Sequence, residues 1–184
     1  WVAIERLLRG ERILMIQRTG FGKSLCYQFP ATQFPGITVV FSPLIALMRD
    51  QVKNLCNKGI SAAYINSEQS FEENQNVIQR ALEGKIKILY IAPERQENEA
   101  WAETVLRMNF SMVVIDEAHT ISTWGHDFRP SFRRIINIVQ QLPEHIPILA
   151  VTATANKRVQ YDIEQQIGGR LTTIRGNLDR PNFQ

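Results

Sequence analysis

Arg12-Ile13-Leu14-Met15-Ile16-Gln17-Arg18-Thr19-Gly20-Phe21-Gly22-Lys23-Ser24 is the stretch on which the reading of this chain turns. Its first half is apolar and rich in residues that suit a buried strand, and its second half is a glycine-bearing turn that opens onto helix-forming residues. A strand that runs into Gly-x-Gly-Lys-Ser and then a helix has the form of the functional end of a P-loop. Glycine lets backbone amides come close to phosphate oxygens, and the amino end of the helix adds partial positive charge. In this reading Thr19, Gly20, Phe21, Gly22, Lys23 and Ser24 cradle a nucleoside triphosphate. Lys23 reaches its β- and γ-phosphates, and the Ser24 hydroxyl ligates Mg²⁺. The strict pattern has glycine where this chain has Gln17. The alternative is an ordinary glycine-rich turn with an exposed lysine.

On both sides of this segment strand-like and helix-like runs alternate. Strands are expected at residues 12–17, 37–42, 61–65, 87–91, 112–115, 148–151 and, shorter, 171–174. Helices are expected from residue 23, from Pro43 to a stop at Gly59, from Ser70 to about Gly84, near 100–106, and over 156–167. Ser70 followed by Glu73 fits a capping box. Strands this apolar, alternating with helices, imply an α/β fold: a mostly parallel sheet with helices on both faces. Ligands of such sheets bind at the carboxyl ends of the strands.

Composition narrows the class. The chain has 184 residues, 44% hydrophobic and 21% charged, so it can build a core and is not disordered. Its longest apolar runs fall far short of the ~20 residues that cross a membrane. Glu5, Arg6 and Arg9 near the start give a helix-like pattern and no signal peptide. Cys26 and Cys56 make neither a disulfide framework nor a zinc site; both are expected to be buried thiols of a reduced, intracellular protein. The net charge of +3 carries no argument for nucleic acid by itself.

The apolar run 112–115 ends in Asp116-Glu117-Ala118-His119. An acidic pair after a buried strand is where a Walker-B motif belongs. Asp116 would hold Mg²⁺, largely through water, and Glu117 would take a proton from the attacking water. His119 could couple this site to a neighbouring loop. Carboxylates at a helix start can also serve only to stabilise its dipole. The P-loop upstream favours the catalytic alternative, since each motif sits where the other requires it.

With these residues in view, the chain resembles the first RecA-like lobe of a RecQ-type DNA helicase of superfamily 2. Thr19-Gly20-Phe21-Gly22-Lys23-Ser24-Leu25-Cys26-Tyr27-Gln28 is similar to motif I, and Ser42-Pro43-Leu44-Ile45-Ala46-Leu47-Met48-Arg49-Asp50-Gln51-Val52 to motif Ia. Tyr90-Ile91-Ala92-Pro93-Glu94-Arg95 resembles motif Ib, Asp116-Glu117-Ala118-His119 the DEAH form of motif II, and Thr152-Ala153-Thr154-Ala155 motif III. Ile121-Ser122-Thr123-Trp124-Gly125-His126-Asp127-Phe128-Arg129-Pro130 is similar to the aromatic-rich loop that separates RecQ enzymes from DEAD-box relatives. Arg18 stands where the family usually has proline.

The resemblance implies ATP and Mg²⁺ as cofactors, and single-stranded and partly duplex DNA as partners. It implies 3′ to 5′ movement along a strand, and no membrane association. Residues 1–176 would form the lobe, and residues 177–184 would begin a linker to a second RecA-like lobe that supplies an arginine. Alone, these 184 residues would bind nucleotide weakly and hydrolyse almost none. The location would be the cytoplasm, with the nucleoid, in a bacterium, or the nucleus in a eukaryote.

For the strand itself, Ser42 and the adjacent helix start could hold a phosphate, and Arg95 another. Trp124 and Phe128 could stack on bases, Arg129 could add charge, and His126, Thr152 and Thr154 could relay the contact. The plainer alternatives are an ordinary helix start at Ser42, a solvated Glu94–Arg95 pair, core aromatics at 124 and 128, and a structural His126. At the level of function the alternatives are an RNA helicase or duplex translocase of the same superfamily, and a binding module without turnover. No Asn-Lys-x-Asp guanine motif occurs.

Overall fold

The structure, a computed structural model, describes residues 1–18, 20, 22–94 and 99–176. Strands β1 (Arg12–Ile16), β2 (Ile37–Phe41), β3 (Ala62–Ile65), β4 (Ile88–Ile91), β5 (Phe110–Ile115), β6 (Ile148–Thr152) and β7 (Leu171–Arg175) form one sheet in the order β3-β4-β2-β5-β6-β1-β7. Every pairing is parallel. The helices are α1 (Val2–Leu8), α2 (Lys23–Gln33), α3 (Ile45–Asn57), α4 (Phe71–Leu82), α5 (Glu99–Leu106), α6 (Phe132–Gln141) and α7 (Lys157–Ile167).

Both faces of the sheet are covered, which is why the central strands are apolar at nearly every position. On β1, Ile13 and Met15 point to a core shared with Leu7 of α1, Ala31 of α2 and Leu55 of α3. Leu14 and Ile16 point to the opposite core, which holds Val77 of α4, Ile135 of α6 and Ile163 of α7. Period-2 alternation thus sends successive side chains into two different layers.

The expected elements are present, with ends that differ by a residue or two. The second strand gives way to α3 at Ile45 instead of Pro43, because Leu44 has non-helical angles (φ −98°, ψ 87°). The capping box forms: Ser70 Oγ accepts the Glu73 N–H at 3.1 Å, and the Ser70 N–H donates to Glu73 Oε2 at 2.8 Å. Asn156 caps α7 by accepting the Val159 N–H at 2.9 Å.

Two features depart from expectation. Helix α6 was not foreseen, although Phe132, Ile135, Ile136 and Val139 bury one face at three- and four-residue steps. Cys56 is exposed and Cys26 only part-buried, so neither is the buried thiol expected. Cys56 lies in the last turn of α3, whose inward positions are taken by Met48 and Leu55. The proposed linker, residues 177–184, lies outside the described residues, as do Thr19, Phe21 and Arg95.

Strand order positions the site. β1 is flanked by the last two strands, β6 and β7, and not by β2. The connection from β1 therefore runs past the places filled by β6 and β5, which leaves a crevice at the strands' carboxyl ends.

Candidate functional site

The turn after β1 is built on positive φ: +86° at Gly20 and +77° at Gly22. Side chains rarely adopt these angles, so glycine is the residue that lets the chain turn here. Gly22 is the N-cap of α2, and no side chain caps that helix. The first amides of α2 are thus left to solvent or ligand, with Lys23 and Ser24 in the opening turn.

At the end of β5, Asp116 is tied in by its own backbone, whose N–H donates to Phe41 O at 2.9 Å. Its carboxylate accepts the Glu117 N–H on Oδ1 at 3.0 Å and the Ser42 hydroxyl on Oδ2 at 3.2 Å. Burial pushes the Asp116 carboxyl above its ordinary pKa. The Glu117 amide, the Ser42 hydroxyl, and the charges of Lys23 and His119 pull the other way without cancelling that effect. Glu117 has φ +52° and ψ +46°, and no other non-glycine among the described residues has positive φ. A left-handed glutamate costs ~1–2 kcal/mol, and such strain concentrates at functional sites.

These groups meet in one cleft of about 520 Å³, into which Gly20, Lys23, Ser24, Ser42, Asp116 and Glu117 all face. Ser42, considered as a strand-phosphate contact, is 97% buried (3% exposed) and spends its hydroxyl on Asp116. It also accepts the Leu44 N–H at 3.4 Å.

Sequence reasoning gave no role to a polar chain behind the cleft. Gln51 Nε2 on α3 donates to Ser24 Oγ at 3.2 Å, and Gln28 Nε2 donates to Gln51 Oε1 at 2.7 Å. The same Gln28 amide reaches the Tyr90 hydroxyl at 3.2 Å, which lies 3.0 Å from that of Tyr27. Burial, then the neighbouring Tyr90, drives the Tyr27 phenol well above its usual pKa, so it stays protonated. These partners come from separate elements, and no sequence spacing could have paired them.

His119 sits on a 3₁₀ turn, Ala118–Ile121, and touches three segments. Its Nδ1 is 2.9 Å from Thr152 Oγ1 and 3.3 Å from Glu117 Oε2; its Nε2 is 3.5 Å from Asp127 Oδ2. Thr152 already donates its hydroxyl proton to Thr154 O at 3.0 Å. It therefore accepts from His119, which fixes the proton on Nδ1. Thr154 joins the same knot by donating its N–H to Thr152 Oγ1 at 3.3 Å.

The loop after that turn forms a second cluster, outside the cleft. Trp124 is 57% exposed, His126 and Arg129 are exposed, and Phe128 is half-buried. Arg129 Nη1 stands 3.5 Å from Glu94 Oε1, so Glu94 is engaged by this loop. Asp127 and His119 connect the two clusters.

Oxygen donors suited to Mg²⁺ are present: the Ser24 hydroxyl and the part-buried Asp116 carboxylate, whose pKa is raised by desolvation. Among the described residues no group of three or more His, Cys, Asp or Glu could hold a metal alone. No helix among the described residues is long and apolar enough to cross a membrane.

A parallel sheet with a glycine turn and amide-rich helix start after one strand, and an acidic pair after another, defines a RecA-like P-loop lobe. The chain belongs to the DEAD/DEAH box helicase family, whose model matches residues 1–163. It is 43% identical over 182 residues to the ATP-dependent DNA helicase RecQ of Pasteurella multocida, covering 98% of this chain and 29% of that protein. It is 48% identical over 152 residues to RecQ of Bacillus subtilis, covering 83% of this chain and 26% of that protein. The chain thus spans less than a third of the length of these relatives. In fold it is similar to a hypothetical ATP-dependent RNA helicase from Sulfolobus tokodaii, with TM-score 0.74 and 20% identity over 95% of this chain and 50% of that one.

Proposed function

We propose that this chain is the N-terminal ATP-binding lobe of a RecQ-type DNA helicase, which couples ATP hydrolysis to 3′ to 5′ movement on single-stranded DNA inside the cell. The observation that carries the reading is the cleft itself, where Lys23 and Ser24 face Asp116 and Glu117 while His119 ties Glu117 to Thr152 and the Trp124 loop.

The open amides of α2 and the Lys23 ammonium bind the phosphates. Ser24 and Asp116 are the residues that would hold Mg²⁺, which supplies charge neutralisation at the transferred phosphoryl group. Glu117 accepts the proton of the attacking water, held in place by its left-handed backbone and by His119. A second lobe supplies an arginine to the developing charge, so these 184 residues alone turn over negligibly. Trp124 and Phe128 stack on unpaired bases, with Arg129 beside them. Arg95 contributes a strand phosphate contact.

The test compares full-length protein with Glu117→Gln, measuring ATP binding and hydrolysis with single-stranded DNA, duplex DNA and RNA. Stimulation should be strongest with single-stranded DNA. Glu117→Gln should lose about 10²–10⁴-fold in turnover and keep ATP binding. Stimulation by RNA alone would assign the lobe to an RNA helicase. Hydrolysis unchanged in Glu117→Gln would remove Glu117 from its role.

A further inference from the structure

The exposed indole of Trp124 is held by one residue that no motif includes. The Arg158 guanidinium lies 3.4 Å from the centre of the Trp124 ring, a cation–π stack on one face. More than half of the side chain remains open to solvent.

Arg158 does not act alone. Residues 158, 162 and 166 recur at four-residue steps along α7 and form one stripe. Asp162 Oδ2 accepts the Ser122 hydroxyl at 2.7 Å, and Gln166 Nε2 donates to Ile121 O at 3.3 Å. Gln166 also donates to Asp162 Oδ1 at 3.1 Å, locking the stripe. Ser122 Oγ in turn accepts the Trp124 N–H at 3.2 Å. The stripe therefore grips Ile121, Ser122 and Trp124 in order, backbone first and indole last. Helix α7 follows Thr152 and Thr154 directly, so the grip belongs to the segment that contacts His119.

We infer that Arg158 is a positioning residue for Trp124: it pre-orders the indole, one face covered and the rest open, to receive an unpaired base of single-stranded nucleic acid. This rests on Trp124 being a nucleic-acid contact, as proposed above. Ordering the ring before the ligand arrives removes part of the cost of binding. Arg158 acts through Trp124 and not as a phosphate contact.

The test measures binding of a labelled oligothymidylate to the chain by fluorescence anisotropy over a range of salt, for Arg158→Ala, Arg158→Lys, Trp124→Ala and the Arg158→Ala/Trp124→Ala double variant. Arg158→Ala should weaken binding about 3–5-fold, the scale of an exposed cation–π contact. It should leave the salt slope unchanged, and the double variant should bind no worse than Trp124→Ala. Arg158→Lys should fall between, since it keeps the charge but not the flat stack. Additive losses, or a salt slope lower by about one, would make Arg158 a phosphate contact and overturn the inference. Trp124→Ala with wild-type affinity would sink the base-contact reading itself. Weak binding by Trp124→Ala with wild-type binding by Arg158→Ala would sink only the role of Arg158. A measurement without ligand stands apart from affinity. In a Trp1→Phe/Trp101→Phe background, Arg158→Ala should raise acrylamide quenching of Trp124, and unchanged quenching would also overturn the inference.

Discussion

His119 Nδ1 and Thr152 Oγ1 stand 2.9 Å apart, joining the turn after β5 to the end of β6. The same imidazole reaches Glu117 on one side and Asp127 on the other. In the proposed mechanism this contact chain would carry a displacement of the Asp127 loop to the Glu117 carboxylate. His119→Ala and Thr152→Val should each lower DNA-stimulated hydrolysis about tenfold while nucleotide affinity changes less than twofold. The pair should be non-additive, because both remove one contact. Steady-state ATPase assays with and without single-stranded DNA check this, and equal losses in nucleotide binding would argue against a relay.

Asp116 is a part-buried carboxylate whose pKa is raised by desolvation. The folded state therefore holds its proton to higher pH than the unfolded chain does. Below the unfolded value both states are protonated and there is no penalty. Stability then falls as pH rises from the unfolded value through the raised folded value, above which the penalty is complete. Asp116→Asn should raise the Tm of the ligand-free chain at pH values above the raised folded pKa. The gain should vanish at low pH, and the variant should lose Mg²⁺-dependent ATP binding. Thermal melts at several pH values decide it; a lower Tm above that pKa would refute the claim.

Gln51 holds the Ser24 hydroxyl from a different helix. Gln51→Leu removes that donor and leaves Gln28 with one partner fewer. Binding of Mg²⁺-nucleotide should weaken about fivefold, the worth of one neutral hydrogen bond near 1 kcal/mol. Binding of metal-free nucleotide should change little. Titration with a fluorescent ATP analogue, with and without Mg²⁺, separates the two.

Gly36 precedes β2 where its backbone meets the start of β5. A Cβ there would lie 2.4 Å from the Asn109 carbonyl oxygen and 2.6 Å from Ser111 Oγ, which already accepts the Gly36 N–H at 2.7 Å. The nearer obstacle is backbone and cannot rotate away. Gly36→Ala should cost about 1–3 kcal/mol of stability, in line with other overpacked sites. Chemical denaturation reads this directly, and an unchanged midpoint would show that β2 and β5 meet differently.

The alternation of strands and helices was legible because both sheet faces are buried and the strands, apart from the edge strand β7, are mostly apolar. The nucleotide cleft was legible because Gly20, Gly22, Lys23 and Ser24 are adjacent in sequence, as are Asp116 and Glu117. Helix α6 carries its signal in Phe132, Ile135, Ile136 and Val139, next to a loop that holds Gly, Pro and aromatic residues. Gln28, Gln51 and Tyr90, and the stacking of Arg158 on Trp124, had no such signal. They meet only after elements far apart in the chain pack, and no periodicity encodes which polar side chains then face each other.

β6 is interposed between the strand that ends at Asp116 and the strand that leads to Lys23. With neighbouring strands about 4.8 Å apart, their tips lie about 10 Å from one another. The crevice is therefore a length gauge. In the function proposed above, that spacing suits an extended polyphosphate with its hydrated cation, one end at the glycine turn and the other at the acidic pair.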